Sequence, residues 1–479
     1  MADVTARSAS GGRGRLWEDI AASRGSYLLD IPADARLSLA RGWLFLALAA
    51  IVGAGVFSIL LVASRTPGLA SLFPVADFFR VALVVHVDLS VLVWFVAFAG
   101  MFWSLNATQK WMGLGWTAYA LTAAGSALLA LAPFAGGAAP IMANYIPVLD
   151  GTVFLAGLVT IAVGVGLLCI RGMSVVPRVG TRLDGAAALR FGLNASLAST
   201  AVALMAFAWS WLAVPHGLEA KPYYELVFWG GGHVLQFTWT LLMMVAWLWL
   251  LSAIGAPVPV TPRVAVLLFG VGLVSVFVTP VIYLAFAVPS VEHYRLLTWL
   301  MRFGGGLAIL PITLALIVGL ARARVVDDVA RPLRAALVMS LALFAAGGLI
   351  GFMIHGSNTR IPAHYHGCIV GITLAFMGVA YHLLPRFGYR APTGRLAVWQ
   401  PYLYGIGQLM HILGLVWSGG YGVQRKVAGT EQVLRTTGEV MGMGLMGLGG
   451  LVAIVGGVLF AVVVLRSMLG ARRARAEAP

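Results

Sequence analysis

Long apolar stretches alternate with short polar connections along almost the whole chain. Twelve stretches are long enough to cross roughly 30 Å of hydrocarbon, which takes about 20 apolar residues in a helix. They lie near residues 43–63, 80–104, 115–134, 151–170, 190–213, 225–251, 264–287, 299–320, 335–354, 363–385, 399–418 and 441–465. Because the backbone must satisfy its own hydrogen bonds inside lipid, each stretch is predicted to be a helix. The pattern therefore predicts an all-α, polytopic membrane bundle of twelve transmembrane helices.

The composition supports a membrane protein and excludes an ordinary soluble domain. Of 479 residues, 60% are hydrophobic and 10% are charged, whereas roughly a quarter of residues are charged in soluble domains. The two cysteines, Cys169 and Cys368, lie inside apolar runs, so a disulfide framework is not expected. One membrane domain, residues 41–467, is predicted between two basic tails, residues 1–40 and 468–479.

The net charge of +15 raises the possibility of nucleic-acid binding, but the positions of the basic residues argue against it. Arginines concentrate in alternate loops, with four at residues 171–190 and four at 322–334. This asymmetry marks the cytoplasmic side of a membrane protein. We therefore expect a multi-pass protein of a bacterial-type plasma (inner) membrane, with both termini cytoplasmic and with lipid, not nucleic acid, around it.

Histidines lie at similar depths in three of the predicted helices. His86 is in span two, His233 in span six, and His364 and His366 open span ten. All three spans run inward, so these side chains are expected in the outer half of the membrane. Ionisable residues at that depth are costly and are candidates for function. Matched depth on three helices favours a shared layer of cofactors.

The His364-Tyr365-His366 spacing bears on how many cofactors there are. Residues two apart point to nearly opposite sides of a helix, so one metal ion cannot easily bind both histidines, whereas two cofactors on the two sides can. Neutral imidazole is a common axial ligand of haem iron. The alternative is a hydrogen-bonded core histidine, which remains open for His233 and which we adopt for His382 and His411.

Three segments resemble subunit I of the haem–copper oxidase superfamily, and the resemblance extends over nearly all of residues 40–465. They are "RIPAHYHGCIVGITLAFMGVAYHLLPRFG" (360–388), "RVALVVHVDLSVLVWF" (80–95) and "WGGGHVLQF" (229–237). The first, with its His-x-His followed by Leu-Pro-Arg, is highly specific. The likeness is greatest to the cbb-type oxidases and the related nitric oxide reductases.

The resemblance implies a role for each matching residue. His86 and His366 correspond to the axial ligands of a low-spin haem, and His364 to the single protein ligand of a high-spin haem. His233 corresponds to one of three histidines that hold copper in oxidases or iron in nitric oxide reductases. Arg425 and Lys426 correspond to a basic pair that contacts haem propionates; membrane-surface anchoring is the simpler alternative. Two haems, expected to be of b type, are therefore implied.

The sequence departs from the family at the non-haem metal. Pro280 and Pro289 keep the register of span seven, but the two expected histidine positions hold Val281 and Ile282. Neither can bind a metal, and three protein ligands are usual for a catalytic site. The redox tyrosine of oxidases and the glutamate of the reductases are also missing from their places. We therefore expect no functional copper centre, with His233 as a remnant ligand.

The sequence indicates only in part how protons and electrons would reach the cofactors. Asp88 is a buried acid in span two, and relay of protons and simple core hydrogen bonding are equally open readings. Glu225, near the outer end of span six, is expected to be an interfacial carboxylate. No Cys-x-x-Cys-His motif attaches a c-type haem. Electrons are therefore expected from a cytochrome c-type or other redox partner subunit, or from quinol.

Four hypotheses follow. The favoured one is a membrane haem protein of respiratory electron transfer without a functional copper centre. The second is an active cytochrome c or quinol oxidase, or a nitric oxide reductase, with an atypical metal site that reduces dioxygen or nitric oxide. The third is a haem-based protein that binds or senses a gas. A transporter without haem is the fourth, and it explains neither the depth match nor the His-x-His segment.

Overall fold

The chain forms a bundle of twelve long helices, as the apolar pattern predicts. The computed structural model describes residues 26–69, 76–136, 138–177, 179, 183–324 and 327–476. The helices are α1 (Ala35–Arg65), α2 (Ala76–Val87, a π-helical turn at Asp88–Val93, and Trp94–Asn106), α3 (Met112–Leu131), α4 (Thr152–Ser174), α5 (Gly185–Ala213), α6 (Ala220–Ala253), α7 (Pro262–Ala285), α8 (Val291–Arg322), α9 (Ala330–Gly351), α10 (Arg360–Arg386), α11 (Arg395–Gly420) and α12 (Thr437–Ala476).

Eleven helices in the described part of the chain are long and apolar enough to cross a membrane. The twelfth, α11, falls short because its sequence includes polar residues such as Gln400, Gln408 and His411. It nevertheless packs between α10 and α12. The predicted twelve-helix membrane bundle is confirmed.

Helical structure extends into both predicted tails. Helix α1 begins at Ala35, where the Asp34 side chain accepts a 2.9 Å hydrogen bond from the Arg36 N–H. The preceding segment is packed, since the buried Tyr27 hydroxyl donates to the Val260 carbonyl at 2.8 Å. At the other end α12 continues to Ala476. Both helices are longer than the apolar stretches predicted for them, 43–63 and 441–465. Residues 1–25 and 477–479 of the predicted tails lie outside the described residues.

Small residues let neighbouring helices approach closely. On α11, a Cβ added to Gly407 or Gly414 would collide with the α12 backbone at Ala453 or Met446. Without a hydrophobic driving force between helices in lipid, such close packing is a main source of association. Changing either glycine to alanine is expected to separate α11 from α12.

Aromatic rings fill the centre of the bundle between α2, α6 and α10. Phe98 and Phe376 are stacked with ring centroids 4.7 Å apart, and Phe95 meets Trp239 edge to face at 5.4 Å. All of these side chains are buried. Edge-to-face and offset pairs of this kind add about 0.5–1.5 kcal/mol to the burial of their surfaces. This packed region forms the floor beneath the histidine layer.

A short hairpin lies in the α3–α4 connection. Strands β1 (Ala139–Ile141) and β2 (Val148–Asp150) pair antiparallel, with Pro140 opposite Leu149. The turn between them carries Tyr145 to the side of α6, where its ring lies 4.7 Å from the ring of His233. The hairpin thus adds a side chain to the helix bundle that no helix supplies.

Candidate haem-binding cavity

A large cavity of about 1460 Å³ lies within the bundle. It exceeds the roughly 300–1,000 Å³ of typical small-molecule pockets. Its walls come mainly from α1, α2, α6 and α8–α12 and are largely apolar. Four histidines line it: His86, His364, His366 and His411. The structure therefore brings together three of the histidines singled out from the sequence, together with one that was not.

His86 lies in α2 directly before the π-helical turn. Its Nδ1 is 2.9 Å from the carbonyl oxygen of Ala54 on α1. A carbonyl only accepts, so Nδ1 carries the proton and Nε2 keeps its lone pair. This is the arrangement of a metal-binding histidine, in which one nitrogen is anchored and the other is the ligand.

His364 has the same arrangement on α10. Its Nδ1 donates to the carbonyl of Gly347 on α9 at 2.7 Å. Three glycines make this contact possible, because Gly347 packs directly on Gly367 and a Cβ at Gly351 would lie 2.9 Å from the His364 ring. The Nε2 of His364 is thereby left as a potential iron ligand.

His366 is directed toward a different neighbour. Its ring centroid lies 5.1 Å from that of His411 on α11, whereas His364 leans on α9. The two histidines of the His-x-His segment thus contact the helices on either side of α10, as their spacing predicts. His411 is itself fixed, since its Nδ1 donates to the Met446 carbonyl on α12 at 3.0 Å.

Basic residues border the predicted outer end of the cavity. Arg425 and Lys426, in the loop between α11 and α12, line both this cavity and a second one of about 1010 Å³ beside it. The Lys426 Nζ donates to the Met142 carbonyl at 2.6 Å, and Arg425 Nε donates to Ser357 Oγ at 3.2 Å. Burial, helped by the charge of Arg425, lowers the pKa of Lys426 to about 8. A buried ammonium of this kind can form a charge-assisted hydrogen bond with an anionic partner.

His233 does not line the cavity. Its buried ring packs against Trp229 and Tyr145, and its Nδ1 donates to the Trp229 carbonyl at 2.7 Å. At the two positions where the sequence resemblance implies histidines, Val281 is exposed on the outside of the bundle and Ile282 is buried in an apolar cluster. Within the described residues no group of three His, Cys, Asp or Glu side chains could hold a metal ion.

The two acids singled out from the sequence have different surroundings. Asp88 is buried in the π-helical turn and lines the cavity, and its Oδ2 has no hydrogen-bond partner among the described residues. Glu225 lines the smaller cavity, where its carboxylate accepts a 3.0 Å bond from the Asn144 N–H. That contact fits the interfacial role expected of Glu225.

Sequence reasoning missed several residues of the cavity. His411 was assigned to the core, although Gln408 one turn before it shares the same wall and signals a polar face. Arg65, at the end of α1, adds a third basic group. Tyr145 lies on a loop far from α6 in sequence. The run of three glycines before His233 is the only sequence signal that could have indicated its close contact with α6.

Comparison with known proteins agrees with the fold. Residues 38–472 match the family described as "Cytochrome C and Quinol oxidase polypeptide I". The helix bundle is thus that of a haem–copper oxidase subunit I-like membrane protein. The chain belongs to this family.

Individual relatives are distant. An uncharacterized protein of Rickettsia prowazekii (strain Madrid E) is 29% identical over 503 residues, covering 90% of this chain and 96% of that protein. An uncharacterized protein of Aquifex aeolicus (strain VF5) is 29% identical over 370 residues, covering 75% and 88%. A heme-copper terminal oxidase dimer solved by cryo-EM superposes with a TM-score of 0.67 at 15% identity, covering 94% of this chain and 85% of the other. The superposition supports the fold alone.

Proposed function

We propose that this protein is a membrane haem protein of respiratory electron transfer that carries two b-type haems and no functional copper centre. His86 and His366 would hold the iron of a low-spin haem, and His364 would hold the iron of a second, high-spin haem. Membership of the family implies haem. The observation that carries the assignment is the pair of anchored imidazoles, His86 and His364, which line one cavity with Nε2 free.

The other residues that line the cavity are chemically suited to haem. A haem is apolar except for its two propionates, and the walls here are apolar with basic residues at one end. Arg425 and Lys426 would hold the propionates, and Arg65 is a third cation on the same cavity. Once bound, a haem with two axial histidines passes electrons, and one with a single histidine can also bind a diatomic molecule.

The proposal leaves out copper because of the surroundings of His233. A catalytic first-row metal usually has three protein ligands, whereas His233 is packed between two aromatic rings and Val281 faces away from the bundle interior. Asp88 remains a candidate proton relay on the cavity wall. Electrons come from a cytochrome c-type or other redox partner subunit, or from quinol, and arginine-rich loops support cytoplasmic termini.

An active oxidase or nitric oxide reductase is the second candidate. The family match favours it, and the superposed structure is described as a terminal oxidase. It requires a partner chain or unusual ligands to complete a metal site near His233. Metal analysis separates the two, because this candidate demands about one copper or non-haem iron per chain.

The ligand assignment is tested by replacing one histidine at a time in the full-length protein. His364→Ala is expected to lose the carbon monoxide-binding haem only, and His86→Ala or His366→Ala the low-spin haem only. His382→Ala is the control, because His382 lies further along α10 and does not line the cavity. Haem is counted by the pyridine haemochrome method. Two haems in any of the three test variants contradict the assignment.

A further inference from the structure

Three consecutive glycines on α6 each receive an aromatic side chain directly on the backbone. A Cβ at Gly230 would overlap Tyr283, one at Gly231 would overlap Phe207, and one at Gly232 would overlap Tyr145. Tyr283 and Phe207 come from neighbouring helices, but Tyr145 comes from the β1–β2 hairpin. The Gly232 position thus lets a loop side chain lie along the cavity face of α6.

The Tyr145 ring lies directly on the backbone of Gly232. Gln236 is four residues beyond Gly232 and so lies on the same face of α6. Both residues line the large cavity, which His364 lines from α10. His233 packs on the Tyr145 ring at 4.7 Å and does not reach that wall.

We propose that Tyr145 and Gln236 form a hydrogen-bonding pair for a diatomic ligand on the open side of the haem held by His364. The inference rests on the proposed function and adds the residues that bind the ligand. A phenol O–H and an amide N–H are both donors, and donors in the distal pocket help to decide how a haem binds a diatomic molecule. The hairpin and α6 thus supply two donors to the cavity that His364 lines from α10.

A second tyrosine that lines the cavity provides a control for the Tyr145 substitution. Tyr404 lines the same cavity from α11, on the side of His411. Tyr404→Phe therefore makes the same chemical change as Tyr145→Phe next to the other haem. Gln236→Leu removes the second donor and leaves a shorter, apolar side chain.

The experiment uses purified full-length protein with two probes, carbon monoxide on the reduced form and cyanide on the oxidised form. In Tyr145→Phe and in Gln236→Leu the carbon monoxide stretching frequency is expected to rise, because a donor to its oxygen is lost. The cyanide dissociation constant is expected to increase about two- to tenfold, the effect of one lost hydrogen bond. Tyr404→Phe is expected to change neither.

The outcomes separate this inference from the proposed function. If the wild-type protein binds carbon monoxide and cyanide but both variants equal it, the pair does not contact the ligand and this inference is wrong. If Tyr404→Phe changes the signals as much as Tyr145→Phe, the effect is not specific and the inference is again wrong. If the wild-type protein has no haem that binds either probe, the proposed function fails as well.

Discussion

His366 and His411 face each other across the α10–α11 contact, with ring centroids 5.1 Å apart and ring planes at 52°. His411 Nδ1 donates to the Met446 carbonyl, so its Nε2 is the acceptor. A ligating histidine normally has an acceptor near its other nitrogen, which makes it a better electron donor to the metal. His411 is therefore placed to tune the haem that His366 is proposed to hold.

Replacing His411 with leucine is expected to keep both haems but to raise the midpoint potential of the low-spin haem. Loss of a polar group beside the axial ligand destabilises the oxidised, more positive iron. An effect the size of one hydrogen bond corresponds to roughly 20–60 mV. Spectroelectrochemical titration measures it, with His382→Leu as the control. An unchanged potential in His411→Leu contradicts a tuning role.

Gly232→Ala is expected to destabilise the protein and to displace Tyr145. The added Cβ overlaps the Tyr145 ring, and overpacking of this kind costs about 1–3 kcal/mol. Gly166→Ala on α4 is the matched control, because no atom lies within 4 Å of the Cβ it would add. Thermal unfolding in detergent compares the two. Equal melting temperatures for both variants show that the hairpin does not lie on α6 as described.

Haem binding is expected to weaken as the pH rises through about 8, the pKa of Lys426 before an anion binds. Below that pH the ammonium is charged and pairs with a propionate, whereas above it the neutral amine loses the charge-assisted bond. Titrating haem-depleted protein with haem between pH 7 and 9 measures the dependence. Lys426→Met is expected to bind more weakly at pH 7 and to be less sensitive to pH. Haem dimethyl ester should lack the dependence, and a dependence that persists with the ester argues against Lys426.

Asp88→Asn is expected to leave the melting temperature unchanged or to raise it. A buried carboxylate oxygen without a partner is costly, and asparagine keeps the shape without the charge. Differential scanning calorimetry tests the stability. A fall of several degrees means that Asp88 has an essential charged partner. Slower reoxidation of the haems with unchanged stability instead identifies a proton relay.

Much of the fold and part of the site could be predicted from the sequence. Apolar runs fix the helices because hydrocarbon admits no other backbone, and the depth of His86, His364 and His366 follows from their place in each run. Contacts between distant segments could not be predicted. His411 becomes significant only because α11 packs beside α10, and Tyr145 only because its hairpin lies on Gly232. No pattern in the sequence predicts the π-helical turn after His86.

The most direct test of the central claim is one set of measurements on the purified full-length protein. Reduced-minus-oxidised and carbon monoxide difference spectra count the haems, and elemental analysis of the same sample counts iron and copper. Two haems per chain, one of which binds carbon monoxide, with two iron atoms and no stoichiometric copper, are predicted. Two haems with about one copper, or with a third iron, contradict the account and establish a complete metal centre.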